Sequence, residues 1–133
     1  MQILPDRWLP LENTRTTPEG RWESTARFEA SSEWLSGHFD GLPLVPGIAL
    51  LALAAETVKR QGREQGRRLE VSGFIKVRFK QLVFPGEELR ISVAAMPSGH
   101  EANLDFHITR RGDIVAQGWL KASEEASRTP LLP

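Results

Sequence analysis

Cysteine is absent from the chain, so neither a disulfide nor a thiolate metal site can form. Histidine is scarce, and His38, His100 and His107 stand too far apart in sequence to suggest a metal cluster. No metal and no other cofactor is expected. An excess of charge is also missing: 17 basic and 17 acidic residues cancel and the pI is near 6.8. No overall field therefore draws in nucleic acid or an anionic membrane, and any charged partner is met locally. The longest apolar run, Ile48 to Ala55, is far short of the roughly 20 residues that cross a bilayer. Met1 to Pro10 lacks a signal-peptide pattern. The expectation is a soluble, cytoplasmic protein, and 133 residues make one domain over 1–133.

What is present is alternation. From Arg21 to Glu29, Trp22, Ser24, Ala26 and Phe28 fall on one face and charged or polar residues on the other, which predicts a half-buried strand. Thr17-Pro18-Glu19-Gly20 before it reads as a tight turn. Pro46 and Gly47 open a segment rich in Ala, Leu and Glu that predicts a helix to about Arg60, with Gly62 as its stop. Because Ile48 to Ala55 is apolar on every face, this helix must be wrapped on most sides.

The second half supplies the wrap. Ile75, Val77 and Phe79 alternate with Lys76, Arg78 and Lys80; Leu89, Ile91, Val93 and Ala95 repeat the period after a Pro85-Gly86 turn. Leu104, Phe106 and Ile108 form a third alternation, and Arg111-Gly112-Asp113 turns the chain into Ile114 to Lys121. Residues 122–133, with two acids and two prolines but no period, read as a flexible tail. The fold class is α+β, an antiparallel sheet wrapped around one long buried helix. A single layer leaves that helix partly uncovered, so a homodimer or higher oligomer is expected.

The stretch Gly37 to Leu51, GHFDGLPLVPGIALL, together with Gly73 to Gly86, GFIKVRFKQLVFPG, resembles the 3-hydroxyacyl-(acyl carrier protein) dehydratases, which have the hotdog fold. The resemblance spans roughly Arg21 to Lys121 and rests on His38-Phe39, on Pro43 and Pro46, and on the Pro46-Gly47 helix opening. It implies a dehydratase-like protein in fatty acid or related polyene or polyketide synthesis. Its implied substrate is a 3-hydroxyacyl group on the phosphopantetheine of acyl carrier protein. It also implies a histidine at His38 working with an acid five positions after Gly47, where this chain has Ala52; one helical turn later stands Glu56.

Removing water from a 3-hydroxyacyl thioester needs a base, a donor to the enolate-like oxygen and an acid for the leaving hydroxyl. His38 fits the base, being an imidazole with an ordinary pKa of about 6.5. The Gly47 N–H, at the positive end of a helix dipole, fits the donor. Glu56 is the candidate acid: positions 52 and 56 share a helix face about 6 Å apart along the axis. Its other reading is an ion pair with Lys59 or Arg60 on an exposed turn. Phe39, Pro46 and Ala52 are the candidate substrate contacts. Lys76, Arg78 and Lys80 would share a strand face suited to an acidic carrier protein or a phosphopantetheine phosphate. Two alternatives stay open: a thioesterase of the same fold, and a non-catalytic acyl-binding or partner subunit, such as one member of a hetero-oligomer, because the expected acid is Ala52.

Overall fold

The computed structural model describes residues 9–32, 35 and 44–125. Among these residues, six strands form one antiparallel sheet in the order β1-β2-β4-β5-β6-β3, with a single long helix against it. β1 (Leu11–Thr16) and β2 (Arg21–Ala26) make a hairpin over the expected turn, where Gly20 has φ +85° and donates its N–H to the Thr17 carbonyl at 2.9 Å. β1 itself carries no legible alternation: only Leu11 is fully buried, and a bulge with Asn13 at φ +54° interrupts its pairing. On β2 the expected face is buried, with Trp22, Ser24, Ala26 and the following Phe28 all inside.

The helix α1 (Gly47–Glu64) runs past both Arg60 and the expected stop at Gly62. Gly62 serves packing rather than termination, since a Cβ there would lie 2.8 Å from the Leu69 side chain. The stop is Gly66, at φ +71°, with Arg67 N–H closing onto the Gly62 carbonyl at 2.8 Å. Ala49, Leu50, Leu53, Ala54 and Val58 are buried against β1, β2, β3 and β4. Each large apolar side chain removed from water in this way contributes about 1.5–3 kcal/mol. A chain of hydroxyls fixes the helix over the sheet: Thr14 Oγ1 to Ser24 Oγ at 2.9 Å, Ser24 to Thr57 Oγ1 at 3.0 Å, and Thr57 to the Leu53 carbonyl at 2.9 Å. Buried hydroxyls are tolerated there because each finds a partner. No helix among the described residues is long and apolar enough to cross a membrane.

β4 (Leu89–Ala94), β5 (Glu101–Arg110) and β6 (Asp113–Glu124) form the expected meander. Arg111 and Gly112, both at positive φ, make the two-residue turn between β5 and β6. β6 continues to Glu124 instead of ending at Lys121, because residues 122–124 pair with β3 and Ala122 is buried; the rest of the expected tail, 126–133, lies outside the described residues.

β3 (Leu69–Phe79) is the edge strand beside β6, and it overturns one expectation. Its register slips by one residue between Ile75, opposite Trp119, and Arg78, opposite Gln117. Lys76 sits in this bulge at φ +54°. An extra residue reverses the two faces, so Ile75 points outward with Trp119, whereas Phe79, opposite the buried Ala116, points inward. The run Ile75, Val77, Phe79 therefore does not share one face. The bulge packs directly on Gly118, where a Cβ would lie 3.0 Å from Val77 Cα and 3.3 Å from the Ile75 carbonyl oxygen. Gly118→Ala is expected to destabilise the fold by about 1–3 kcal/mol, read as a lower urea midpoint. A midpoint equal to wild type would show that the bulge does not close onto that glycine.

Candidate active site

The chain enters α1 under tight control. Val45 N–H donates to the Val83 carbonyl at 2.8 Å, and Pro46 holds an extended conformation at φ −70°, ψ 152°. The Pro46 carbonyl then accepts from Ala49 and Leu50, which starts the helix at Gly47. Among the described residues no side chain caps this end, and no acidic residue lies in the first turn. The first N–H groups thus keep their donor capacity, at the positive end of the helix dipole. The Phe79 ring covers Gly47 closely: a Cβ would lie 2.7 Å from Phe79 Cζ and would displace the ring from this position. Phe79 and Ile48 are both partly open to solvent, giving this helix end an apolar lip. Such an arrangement can offer a backbone donor to a carbonyl oxygen while an acyl chain meets apolar surface. The part of Phe79 could not be read from the alternation, because the bulge decides which way it faces.

His38 and Phe39 lie outside the described residues. Ala52 is half-buried on α1, one turn before Glu56. Glu56 does pair with Lys59 and Arg60 as one reading expected, but it is not exposed: its side chain is 2% accessible. Oε1 accepts from Arg60 Nε and Arg63 Nη2, each at 3.1 Å, and Lys59 Nζ stands 4.0 Å from Oε2. Arg60 continues the connection by donating to the Leu11 carbonyl at 2.8 Å. Glu56 is thereby the centre of a clamp between α1 and β1. Arg63, which sequence spacing did not single out, belongs to it.

The three cations expected to share a face separate. Lys76 and Arg78 line a groove of about 880 Å³ on the outer surface of β3, β5 and β6, together with Asp105, His107, Gln117 and Trp119. Lys80 is not part of its wall; it lies beyond the end of β3, with its N–H bonded to the Val115 carbonyl at 2.8 Å. This groove is thus on the opposite side of the sheet from the helix end. Burial, and next the nearby Arg21 guanidinium, hold the His107 pKa below its ordinary value against the smaller opposing pull of Asp105 and Glu23. No three His, Asp or Glu side chains among the described residues gather closely enough to hold a metal ion.

A long helix packed into one antiparallel sheet defines a hotdog-fold protein. The ApeI dehydratase family model, ApeI-like, matches residues 14–119, and the chain belongs to this family. The 3-hydroxyacyl-[acyl-carrier-protein] dehydratase FabZ of Moorella thermoacetica is 33% identical over 96 residues, 67% of this chain and 67% of that protein. Its counterpart in Haemophilus influenzae is 27% identical over 101 residues, covering 70% and 68% respectively. Among solved structures, the dehydratase heterocomplex ApeI:P from Xenorhabdus doucetiae superposes with a TM-score of 0.65 at 19% identity, over 86% of this chain and 97% of that one. A putative thioesterase from Lactococcus lactis gives 0.72 at 12% identity over 92% and 98%, a likeness of fold alone. The dehydratase resemblance and the hotdog fold expected from the sequence are borne out.

Two outcomes follow from this geometry. Glu56→Gln removes the charge from two short guanidinium contacts and is expected to lower stability by about 1–3 kcal/mol in urea unfolding; an unchanged midpoint would mean that the clamp carries no weight. His107 titrates below 6.5 when folded and near 6.5 when unfolded. Between those points the unfolded chain binds more protons, so its contribution to stability is complete above pH 6.5 and is lost as pH falls through that window. His107→Gln should flatten this part of the stability–pH curve.

Proposed function

We propose that the protein eliminates water from 3-hydroxyacyl thioesters borne by acyl carrier protein, supplying the base and the carbonyl donor of the reaction. The observation that carries this reading is the uncapped helix start at Pro46-Gly47, under the Phe79 ring, in a chain of the ApeI-like dehydratase family. His38 takes the proton from C2, and the Gly47 N–H stabilises the negative charge that moves onto the thioester oxygen. The C3–O bond then breaks, the C2=C3 double bond forms, and the departing hydroxide takes a proton to leave as water.

That last proton needs a donor. Glu56 was the candidate, but its Oε1 is engaged by two guanidinium groups and its place is in the clamp to β1. Ala52 has no proton to give. The reading is therefore a shared site in which a second, related subunit presents a carboxyl group across an interface. Ile48, Phe79, Leu82 and Phe84 are exposed around the helix start and the segment after β3, the surface such a subunit would cover. The naming of the Xenorhabdus neighbour as a heterocomplex is consistent with this arrangement.

The test is mass spectrometry of a 3-hydroxyacyl-acyl carrier protein incubated with wild type and with His38→Ala, each alone and mixed with a related dehydratase subunit that keeps the helix acid but has its own histidine replaced by alanine. The mixture with wild type is expected to lose water, and His38→Ala to slow this by about 10²–10⁴-fold. Release of free acid would replace this function with thioester hydrolysis. Equal water loss with His38→Ala would leave the chain a supporting subunit.

A further inference from the structure

The outer face of the sheet carries a cluster that the dehydration chemistry does not use. Strand pairing aligns Glu23, Ser92, His107, Gln117 and Arg78 in one row across β2, β4, β5, β6 and β3. A neighbouring row holds Asp105, Trp119 and Ile75. An outward-facing row on a single-layer sheet is ordinarily washed by solvent, yet Ser92 is 7% exposed and Glu23 15%. Arg21 explains part of this by lying across the rows, with Nε on Ser92 Oγ at 2.7 Å and Nη1 against Asp105 Oδ1 at 2.8 Å. It closes one end. The bulge at Lys76 raises the other, and the groove of about 880 Å³ lies between them.

Asp105 in the wall is taken up by Arg21, but the other polar groups of the groove are unspent. Among the described residues, neither Lys76 nor Arg78 forms an ion pair, and no described residue hydrogen-bonds the His107 ring, the Gln117 amide or the Trp119 indole N–H. Trp119 is 41% exposed, in a wall that also includes Val77, Phe106 and Ile114. With its pKa lowered, His107 presents a neutral imidazole near pH 7, one nitrogen donating and the other accepting. The groove is of a size that holds a small organic ligand, about 300–1,000 Å³.

We propose that this groove binds a nucleoside phosphate, with the phosphate on Lys76 and Arg78, the base against Trp119, and its polar edge on His107 and Gln117. Each part of the ligand answers one kind of unpartnered group. Two cations at the bulge suit a phosphate, an open indole suits a planar ring, and a neutral imidazole beside an amide suits an edge that mixes donors and acceptors. A simple anion would leave Trp119 unused, and an apolar ligand would strand both cations.

Isothermal titration of the full chain with AMP tests the assignment, because it reads binding without turnover. Saturable 1:1 binding is expected, weakened about tenfold or more by Arg78→Ala and by Trp119→Leu. Adenosine, lacking the phosphate, and inorganic phosphate, lacking the ring, should each bind less well than AMP. Arg78 is exposed on the edge strand, so Arg78→Ala, checked for a wild-type urea midpoint, serves if Trp119→Leu does not fold. No saturable heat with AMP would overturn the proposal, as would unchanged affinity in Arg78→Ala. Phosphate binding as tightly as AMP would overturn the place given to Trp119. Apo acyl carrier protein binding that is lost in Arg78→Ala, with no response to AMP, would replace the nucleotide with an acidic protein surface.

Discussion

Everything in this protein follows from a helix that cannot face water. Ala49, Leu50, Leu53, Ala54 and Val58 occupy one broad side of α1 and all are buried, so the sheet must curl over that side and turn a face toward it. Conformational entropy would defeat so small a domain if that burial were not nearly complete. The same constraint sets where function can sit. Among the described residues, the N-terminal end of the helix has backbone donors that need no side chain to position them. Buried polar contacts keep the helix at one height: the Thr14, Ser24, Thr57 chain beneath it and the Glu56 clamp to β1 beside it.

A single extra residue on the edge strand then divides the protein into two chemical surfaces. Without the bulge at Lys76, Ile75 and Phe79 would face the same way. With it, Phe79 turns in to cover Gly47, while Ile75 turns out to flank Trp119. The inner surface is apolar and meets the helix start; the outer is polar, cationic and grooved. Gly118 is the hinge of the arrangement in a steric sense, since it gives the room in which the bulge lies.

The sequence was most informative where alternation was strict. The buried faces of β2, β4 and β5 follow directly from Trp22 to Phe28, Leu89 to Val93 and Leu104 to Ile108, and the Gly20 and Gly112 turns were equally plain. β1 was hidden because one buried leucine among polar residues has no period, and its pairing is bulged. Gly62 misled as a stop because its bareness serves the contact with Leu69. Along β3 the alternation was real in sequence but false in space, because a bulge leaves no mark when a lysine adopts positive φ. At the site, the Gly47 helix opening was legible from Pro46-Gly47. The burial of Glu56 was not, because its partners Arg60 and Arg63 look like an ordinary solvated helix face. The outer row of polar residues was also out of reach, since register across five strands is a tertiary property.

The central claim is that this chain holds the base and carbonyl donor of a dehydratase site and takes its acid from another subunit. The most direct measurement compares wild-type protein alone with wild-type protein plus an acid-bearing relative whose own histidine has been replaced by alanine, using one 3-hydroxyacyl-acyl carrier protein and reading the mass of the acyl group. The account predicts little water loss from either protein alone and ready loss from the mixture. Full turnover by this chain alone would contradict it, and so would a mixture as inactive as its parts.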